Sequence, residues 1–239
     1  MRSAINFFSL SLFDLENDLI MKKLFKFFYK ERPLRPRYSS FWPVDKVLNY
    51  LKSWHPPSNL DMKKLTLKTI SLMALSCSDR GQTIHMASID SMTIYDSKIE
   101  FIINQRRKNT RRVLKPTKIV CVSTEIEELN VLSYISNYLE RSKEFRNDQK
   151  QLFLSWKTKK PVTRPTIARW LKHVLYLSGI DTSIFKAHSY RGAGLSKAFQ
   201  RGVPIHQIIA AGDWTNASTF HRYYNAPIEE NIENVILEN

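Results

Sequence analysis

The chain has 239 residues, a mass of 28.1 kDa and 43% hydrophobic residues, enough to bury a core in one main domain. Thirty-seven Lys and Arg against 22 Asp and Glu give a net charge of +15 and an isoelectric point near 9.8, a balance that repels basic partners and attracts a polyanion, nucleic acid first among them. Cys77 and Cys121 are too few for a disulfide framework and lack metal-ligand spacing, while Asp14, Glu16 and Asp18 break the apolar N-terminal run before it could serve as a signal or a membrane span.

Residues 1–40 read as an arm. The run LIMKKLFKFFYK is short and amphipathic, and ERPLRPRYSS, with two prolines and four Arg or Glu charges, resists both helix and strand. The compact domain is expected over residues 41–228, with a tail at 229–239. PVDKVLNYLKSW places Val44, Val47, Leu48 and Leu51 at helical spacing, with Pro43 suited to the first turn. HPPSNL ends that helix, and DMKKLTLKTISLMALSC carries a second, rich in core residues, toward Asp79 and Arg80.

After Arg80 the period changes. MTIYDSKIEFIINQRRKNTRRVLKPTKIVCV alternates around Asp96 and Ser97, as a hairpin followed by a third strand would, and the basic cluster QRRKNTRR falls between strands two and three. TEIEELNVLSYISNYLERSKEF returns to helical period, with Thr124 and Glu127 in a capping-box pattern. A polar link and the short apolar LFLSW follow. VTRPTIARWLKHVLYLSG predicts a helix capped by Thr163 or Arg164, striped by Ile167, Trp170, Leu171, Val174 and Leu175, and closed by Gly179. Three more helices are expected: about His188 to Gln200 closed by Gly202, one opened by Pro204, and one around Ser218 to Tyr224. The sum is a mostly helical α+β domain with a small three-stranded antiparallel sheet.

Several residues in this frame can handle phosphate. Breaking a phosphodiester without a metal requires a nucleophile, positive charge on the non-bridging oxygens and a proton donor for the leaving oxygen. Arginine pairs with phosphate through a planar fork, histidine and lysine move protons near neutral pH, and tyrosine can attack as a phenoxide. The sequence holds no P-loop, no HExxH and no carboxylate cluster suited to a divalent metal, so no cofactor is expected. His188 and Arg191 lie one helical turn apart at a helix start, where the dipole also favours an anion. Such a pair is common on solvated helices. The ordered set is more specific: Trp214 follows Arg191 by 23 residues and Tyr223 follows Trp214 by nine.

With this set the sequence resembles the tyrosine recombinase superfamily, whose catalytic domain carries an arginine, a hairpin lysine, HxxR, a His or Trp, and a nucleophilic tyrosine. The resemblance covers residues 22–228 and is closest to the recombinases of DIRS-like retroelements and related animal sequences. It is carried by RPLRPRYSSFWPVDKVLNYL, SCSDRGQTIHMASI, RPTIARWLKHVLYLSGIDTSIFKAHSYRGAG and DWTNASTFHRYYNAP. It implies Arg80 as the first arginine, Lys108 as the hairpin lysine, and His188, Arg191 and Trp214 as the later members. Arg106, Arg107, Arg111 and Arg112 crowd the same loop as Lys108 and are expected phosphate contacts. His85 is expected to be buried and hydrogen-bonded beside the arginine, with His173, His206 and His221 in surface or packing roles.

The nucleophile has two candidates. Counting nine from the tryptophan selects Tyr223, while matching STFHRYYNAP to the retroelement branch, with an aromatic before the tyrosine and a proline soon after, selects Tyr224. Consecutive helix residues point about 100° apart, so only one faces the phosphate, and Tyr224 is favoured. The resemblance implies attack of that tyrosine on DNA, a 3′-phosphotyrosine, and release of a 5′-hydroxyl that a second strand later replaces. It also implies a homotetramer on two double-stranded DNA duplexes.

The resemblance implies a helical core-binding domain ahead of the catalytic one, and the forty-residue arm reads as the end of that domain or its linker, so a truncated clamp is expected. A catalytically inactive, DNA-binding remnant of a mobile element is therefore the alternative function. A type IB topoisomerase-like relaxing enzyme is a weaker third reading, and a membrane-surface role for KKLFKFFYK the weakest. A soluble protein of a reducing compartment is expected, nuclear if the host is eukaryotic.

Overall fold

The computed structural model describes residues 18–32, 35–77, 81–103, 117–212 and 214–228. The chain divides into two compact units, the first ending at Arg37 and the second beginning at Tyr38. In the first unit the amphipathic run forms helix α1 (Leu19–Glu31), opened by the Asp18 carboxylate, which accepts the Met21 N–H at 2.7 Å. None of its residues is buried, and Leu24, Phe27, Phe28 and Tyr29 stand exposed. No helix among the described residues is long and apolar enough to cross a membrane.

The second unit starts with a strap, Tyr38 to Trp42, whose Phe41 and Trp42 are almost wholly buried. Helix α2 (Val44–Lys52) follows, with Pro43 at the cap position itself. Its buried face is Val44, Val47 and Leu51, the spacing read from the sequence. Helix α3 (Met62–Ser76), opened by Asp61, runs through the centre and is buried on every side from Leu65 to Ala74. Two of its polar residues find partners within the core: Thr69 Oγ1 donates to the Leu65 carbonyl at 2.7 Å, and Lys68 Nζ donates to the Trp54 carbonyl at 2.6 Å and the Tyr134 hydroxyl at 2.7 Å.

Short helix α4 (Gly81–His85) leads into a sheet of β1 (Met92–Ile94), β2 (Lys98–Ile103) and β3 (Thr117–Val122), antiparallel in the order β1-β2-β3. Ile99 pairs with Cys121 and Phe101 with Ile119, and these four side chains face the core. The hairpin turns around Asp96 and Ser97, as the alternation predicts. Cys121 brings its Sγ within 3.2 Å of Cys77 Sγ at the end of α3, and neither is in a disulfide.

Helix α5 (Val131–Arg146) starts later than the capping-box reading places it. Thr124 and Glu127 do not cap it. The Thr124 hydroxyl reaches only the Ile126 N–H at 3.4 Å, Glu127–Leu129 is a single 3-10 turn, and the Asn130 side chain accepts from Leu132 N–H at 3.2 Å. Asn130 stands next to the apolar run and is itself a strong cap, so it outcompetes a threonine six residues upstream. At the other end Arg146 binds the Gln151 carbonyl at 2.6 Å and the Leu152 carbonyl at 2.8 Å, drawing the following segment onto α5. Helix α6 (Arg164–Leu177) is capped by Thr163 and closes on Gly179 at φ +71°, where a left-handed residue is needed.

Three helices complete the unit: α7 (Ser189–Gln200), α8 (Ile205–Ala211) opened by Pro204, and α9 (Ala217–Tyr223) capped by Asn216. The strap lies along α7. Trp42 Nε1 donates to Ser189 Oγ at 2.7 Å, and the Phe41 ring rests so close to Gly192 that a Cβ there would stand 2.2 Å from its edge. The strap also reaches the end of the described chain, where Phe41 N–H donates to the Pro227 carbonyl at 2.8 Å. The tail over 229–239 lies outside the described residues.

Candidate active site

The expected catalytic residues that the structure describes all lie on α7, α8 and α9 or at their ends. His188 holds the cap position of α7, but its side chain makes no capping bond. Its ring instead lies 5.2 Å from that of Tyr38 at an interplanar angle of 22°, and its Nε2 is 2.7 Å from the Tyr38 hydroxyl. His188 is exposed, whereas Tyr38 is 9% exposed.

Arg191, one turn further along α7, is 5% exposed. Its Nη2 donates to the Gly212 carbonyl at the end of α8, and its guanidinium carbon lies 4.8 Å from the centre of the Trp214 ring. The absence of a side chain at Gly212 makes this approach possible: a Cβ there would sit 2.3 Å from Trp214 Cε3. The indole covers the buried guanidinium, and the stack together with the Gly212 carbonyl orients the fork.

The two tyrosines differ in company. Tyr224, at the C-cap of α9, packs its ring 4.6 Å from that of Trp214 and 5.8 Å from the Arg191 guanidinium carbon, and its carbonyl accepts from Ser196 Oγ on α7. Tyr223, the last residue of α9, lies beside Arg222, whose guanidinium carbon is 6.0 Å from its ring. The structure therefore groups Arg191, Trp214 and Tyr224, and sets His188 with Tyr38.

Arg80, Lys108, Arg106, Arg107, Arg111 and Arg112 lie outside the described residues. The basic cluster falls between β2 and β3, and Arg80 directly precedes α4. His85 is half-buried and its Nε2 is 3.1 Å from the Val162 carbonyl, so it links α4 to the start of α6. His206 and His221 are exposed and His173 is half-buried beside the core face of α6.

Three contributors carry no sequence signal of their own: Tyr38, Gly212 and Ser196. Tyr38 falls in the stretch read as arm, and a glycine or serine inside a helical pattern is unremarkable until its neighbour is known.

A central buried helix, a three-stranded antiparallel sheet and the α7–α9 cluster define the fold of a tyrosine recombinase catalytic domain. The chain belongs to the phage integrase family, whose pattern matches residues 45–230, a family of DNA-breaking and rejoining enzymes. Among solved structures it is similar to the XerH site-specific recombinase in a post-cleavage complex with the palindromic difH substrate, at 11% identity and a TM-score of 0.59, over 77% of this chain and 49% of that one. It is similar also to XerA recombinase (17% identity, TM-score 0.58, 92% and 74% of the two chains) and to a λ integrase tetramer bound to a Holliday junction (14% identity, TM-score 0.51, 83% and 51%). The chain thus spans about half the length of the XerH and λ integrase chains it matches. No curated protein matches it.

Proposed function

We propose that this chain is a site-specific DNA recombinase that cleaves and rejoins strands through a 3′-phosphotyrosine on Tyr224. The observation that carries this reading is the packing of Tyr224 against Trp214 and Arg191, while Tyr223 lies beside Arg222. The Tyr224 oxygen attacks the scissile phosphorus, and the bond to the 5′-oxygen breaks. That oxygen leaves as a hydroxyl, taking its proton from Lys108. Arg80 and Arg191 neutralise the non-bridging oxygens, Trp214 offers its indole N–H to one of them, and His188 accepts the tyrosine proton and returns it. A 5′-hydroxyl from a second duplex then attacks the phosphotyrosine and frees Tyr224, so bond energy is conserved and no cofactor enters the balance. Arg106, Arg107, Arg111 and Arg112 bind the backbone beside the cut.

Two duplexes require four active sites, so a homotetramer on DNA is the working assembly, in line with the λ integrase tetramer on a Holliday junction. The resemblance to DIRS-like retroelement recombinases makes the ends of a mobile element the natural substrate, acted on in the nucleus of a eukaryotic host. The test is a covalent trap. Wild type, Tyr223→Phe and Tyr224→Phe are incubated in chelator with nicked duplexes carrying the ends of the element that encodes the chain, then run on a denaturing gel. An adduct lost only in Tyr224→Phe is expected. Loss only in Tyr223→Phe reassigns the nucleophile, and salt-sensitive binding without any adduct makes the chain a DNA-binding remnant.

A further inference from the structure

The strap residue Tyr38 makes a contact that the proposed chemistry does not use. Its hydroxyl is 2.7 Å from His188 Nε2 and also accepts the Lys186 N–H at 3.2 Å, while its ring is packed between Phe41 and Phe185 at centroid distances of 5.7 and 5.4 Å. The ring is therefore held by its aromatic neighbours, and its one polar end is aimed at the catalytic candidate. The strap itself is held at Trp42 by Ser189 and at Phe41 by the Pro227 carbonyl, the first next to His188 and the second three residues past Tyr224.

We infer that Tyr38 is a positioning residue for His188: its hydroxyl holds Nε2, fixes the ring plane, and favours the protonated imidazole that forms when His188 takes the nucleophile's proton. This rests on the reading of His188 as that proton acceptor. The direction follows from the chemistry of the pair. In the imidazolium both ring nitrogens carry hydrogen, so Nε2 can only donate and the Tyr38 oxygen must accept. In the neutral ring either atom can be the donor. A hydrogen bond with an ionised partner is about twice as strong as a neutral one, so the contact stabilises the charged form more, whichever neutral tautomer precedes it. Tyr38 thereby does for His188 what an orienting acceptor does for a general base in other active sites, with a phenol in place of a carboxylate.

The charged ends of Lys186 and Arg191 are held by groups other than the Tyr38 hydroxyl, although the Lys186 backbone N–H loses its acceptor when that hydroxyl is removed. The Lys186 ammonium is held at 2.8 and 2.7 Å by the Thr182 and Ser183 carbonyls, and the Arg191 guanidinium by the Gly212 carbonyl. The Tyr38→Phe variant keeps the ring in its aromatic packing and removes only the hydroxyl.

The experiment uses the full chain labelled with 15N-histidine, as wild type and Tyr38→Phe, with His188→Gln to assign the resonance. Imidazole nitrogen shifts are followed against pH, and the covalent adduct is timed over the same range. Tyr38→Phe is expected to lower the His188 midpoint by roughly half to one unit, the modest size reflecting the exposure of the ring. It is also expected to move the acid limb of adduct formation to lower pH and slow the plateau severalfold. An unchanged His188 titration in a folded Tyr38→Phe overturns the inference, as does a shifted titration with an unmoved pH profile for the adduct. If the midpoint shifts but the wild type forms no adduct, the contact stands and the recombinase reading is what fails.

Discussion

The Arg191 guanidinium carbon stands 4.8 Å from the centre of the Trp214 ring, and both are positioned by one carbonyl-bearing glycine, Gly212. The glycine does two things at once. Its carbonyl orients the fork, and its missing side chain leaves room for the indole that covers it.

Gly212→Ala therefore tests whether this stack matters. The backbone there is right-handed helical, φ −76° and ψ −6°, which alanine adopts without strain, so any effect comes from the clash with Trp214. Stability is expected to fall by about 1 to 3 kcal/mol, and adduct formation to fall further than DNA affinity, because the indole must move off the arginine. Thermal unfolding, filter binding and the covalent trap measure the three quantities. Wild-type adduct formation in a folded Gly212→Ala protein would show that the stack is dispensable.

Ser196 ties α7 to the tyrosine. Its hydroxyl, 1% exposed, donates to the Tyr224 carbonyl. Ser196→Ala leaves that carbonyl without this donor, and the expected cost is about 1 kcal/mol of stability together with slower adduct formation at unchanged DNA affinity. Single-turnover kinetics of the trap decide the matter, since a rate equal to wild type would mean that the position of Tyr224 is set elsewhere.

Lys68 gives the fold a pH dependence. Fully buried in α3, it is pushed down from 10.5 to about 7 by loss of hydration, against a partial opposing pull from Glu128. Its folded value lies below its unfolded one, so between about pH 7 and 10.5 the unfolded chain binds more protons and stability rises with pH. Tyr134, which accepts from Lys68, is pushed up to about 12 by burial and contributes in the opposite sense only above its ordinary value near 10. From pH 6 to 10 the difference in unfolding free energy between wild type and Lys68→Met should shift by roughly 1 to 3 kcal/mol in favour of wild type. Denaturant titrations at the two ends suffice, and a difference that stays constant removes Lys68 from the account.

The arginines between β2 and β3 are expected to read the phosphate backbone. Replacing Arg106 and Arg107 with Ala should flatten the slope of log affinity against log salt by roughly one for each phosphate that these side chains neutralise, and weaken specific and nonspecific duplexes alike. Fluorescence anisotropy over a salt series measures this. An unaltered slope would place those side chains away from the DNA.

Much of the frame is legible in the chain itself. Local patterns locate α2 through Val44, Val47 and Leu51, α6 through Thr163 and Gly179, and the hairpin through alternation around Asp96, because each depends on contacts a few residues apart. The start of α5 departs from the capping-box pattern because the buried face begins at Val131, directly after the stronger cap Asn130, and where a buried face begins is set by packing rather than by the pattern alone. Composition puts the start of the compact domain at Phe41, but Tyr38 belongs to it, held by rings and a histidine some 150 residues away in sequence.

By itself, then, the sequence determined the element types, the basic character of the surface and the ordered set His188, Arg191, Trp214 and the tyrosine pair, since these are matters of spacing, charge and residue chemistry. Only the tertiary structure decided which tyrosine lies against Trp214 and Arg191, that Gly212 leaves room for that cluster, and that Tyr38 meets His188. Tyr223 ends α9 and Tyr224 leaves it at the C-cap with φ −132°, and which of the two rings meets Trp214 depends on α8 packing against α9 and on the α7 contacts Phe199 to Phe220 and Ser196 to Tyr224, which no local pattern encodes.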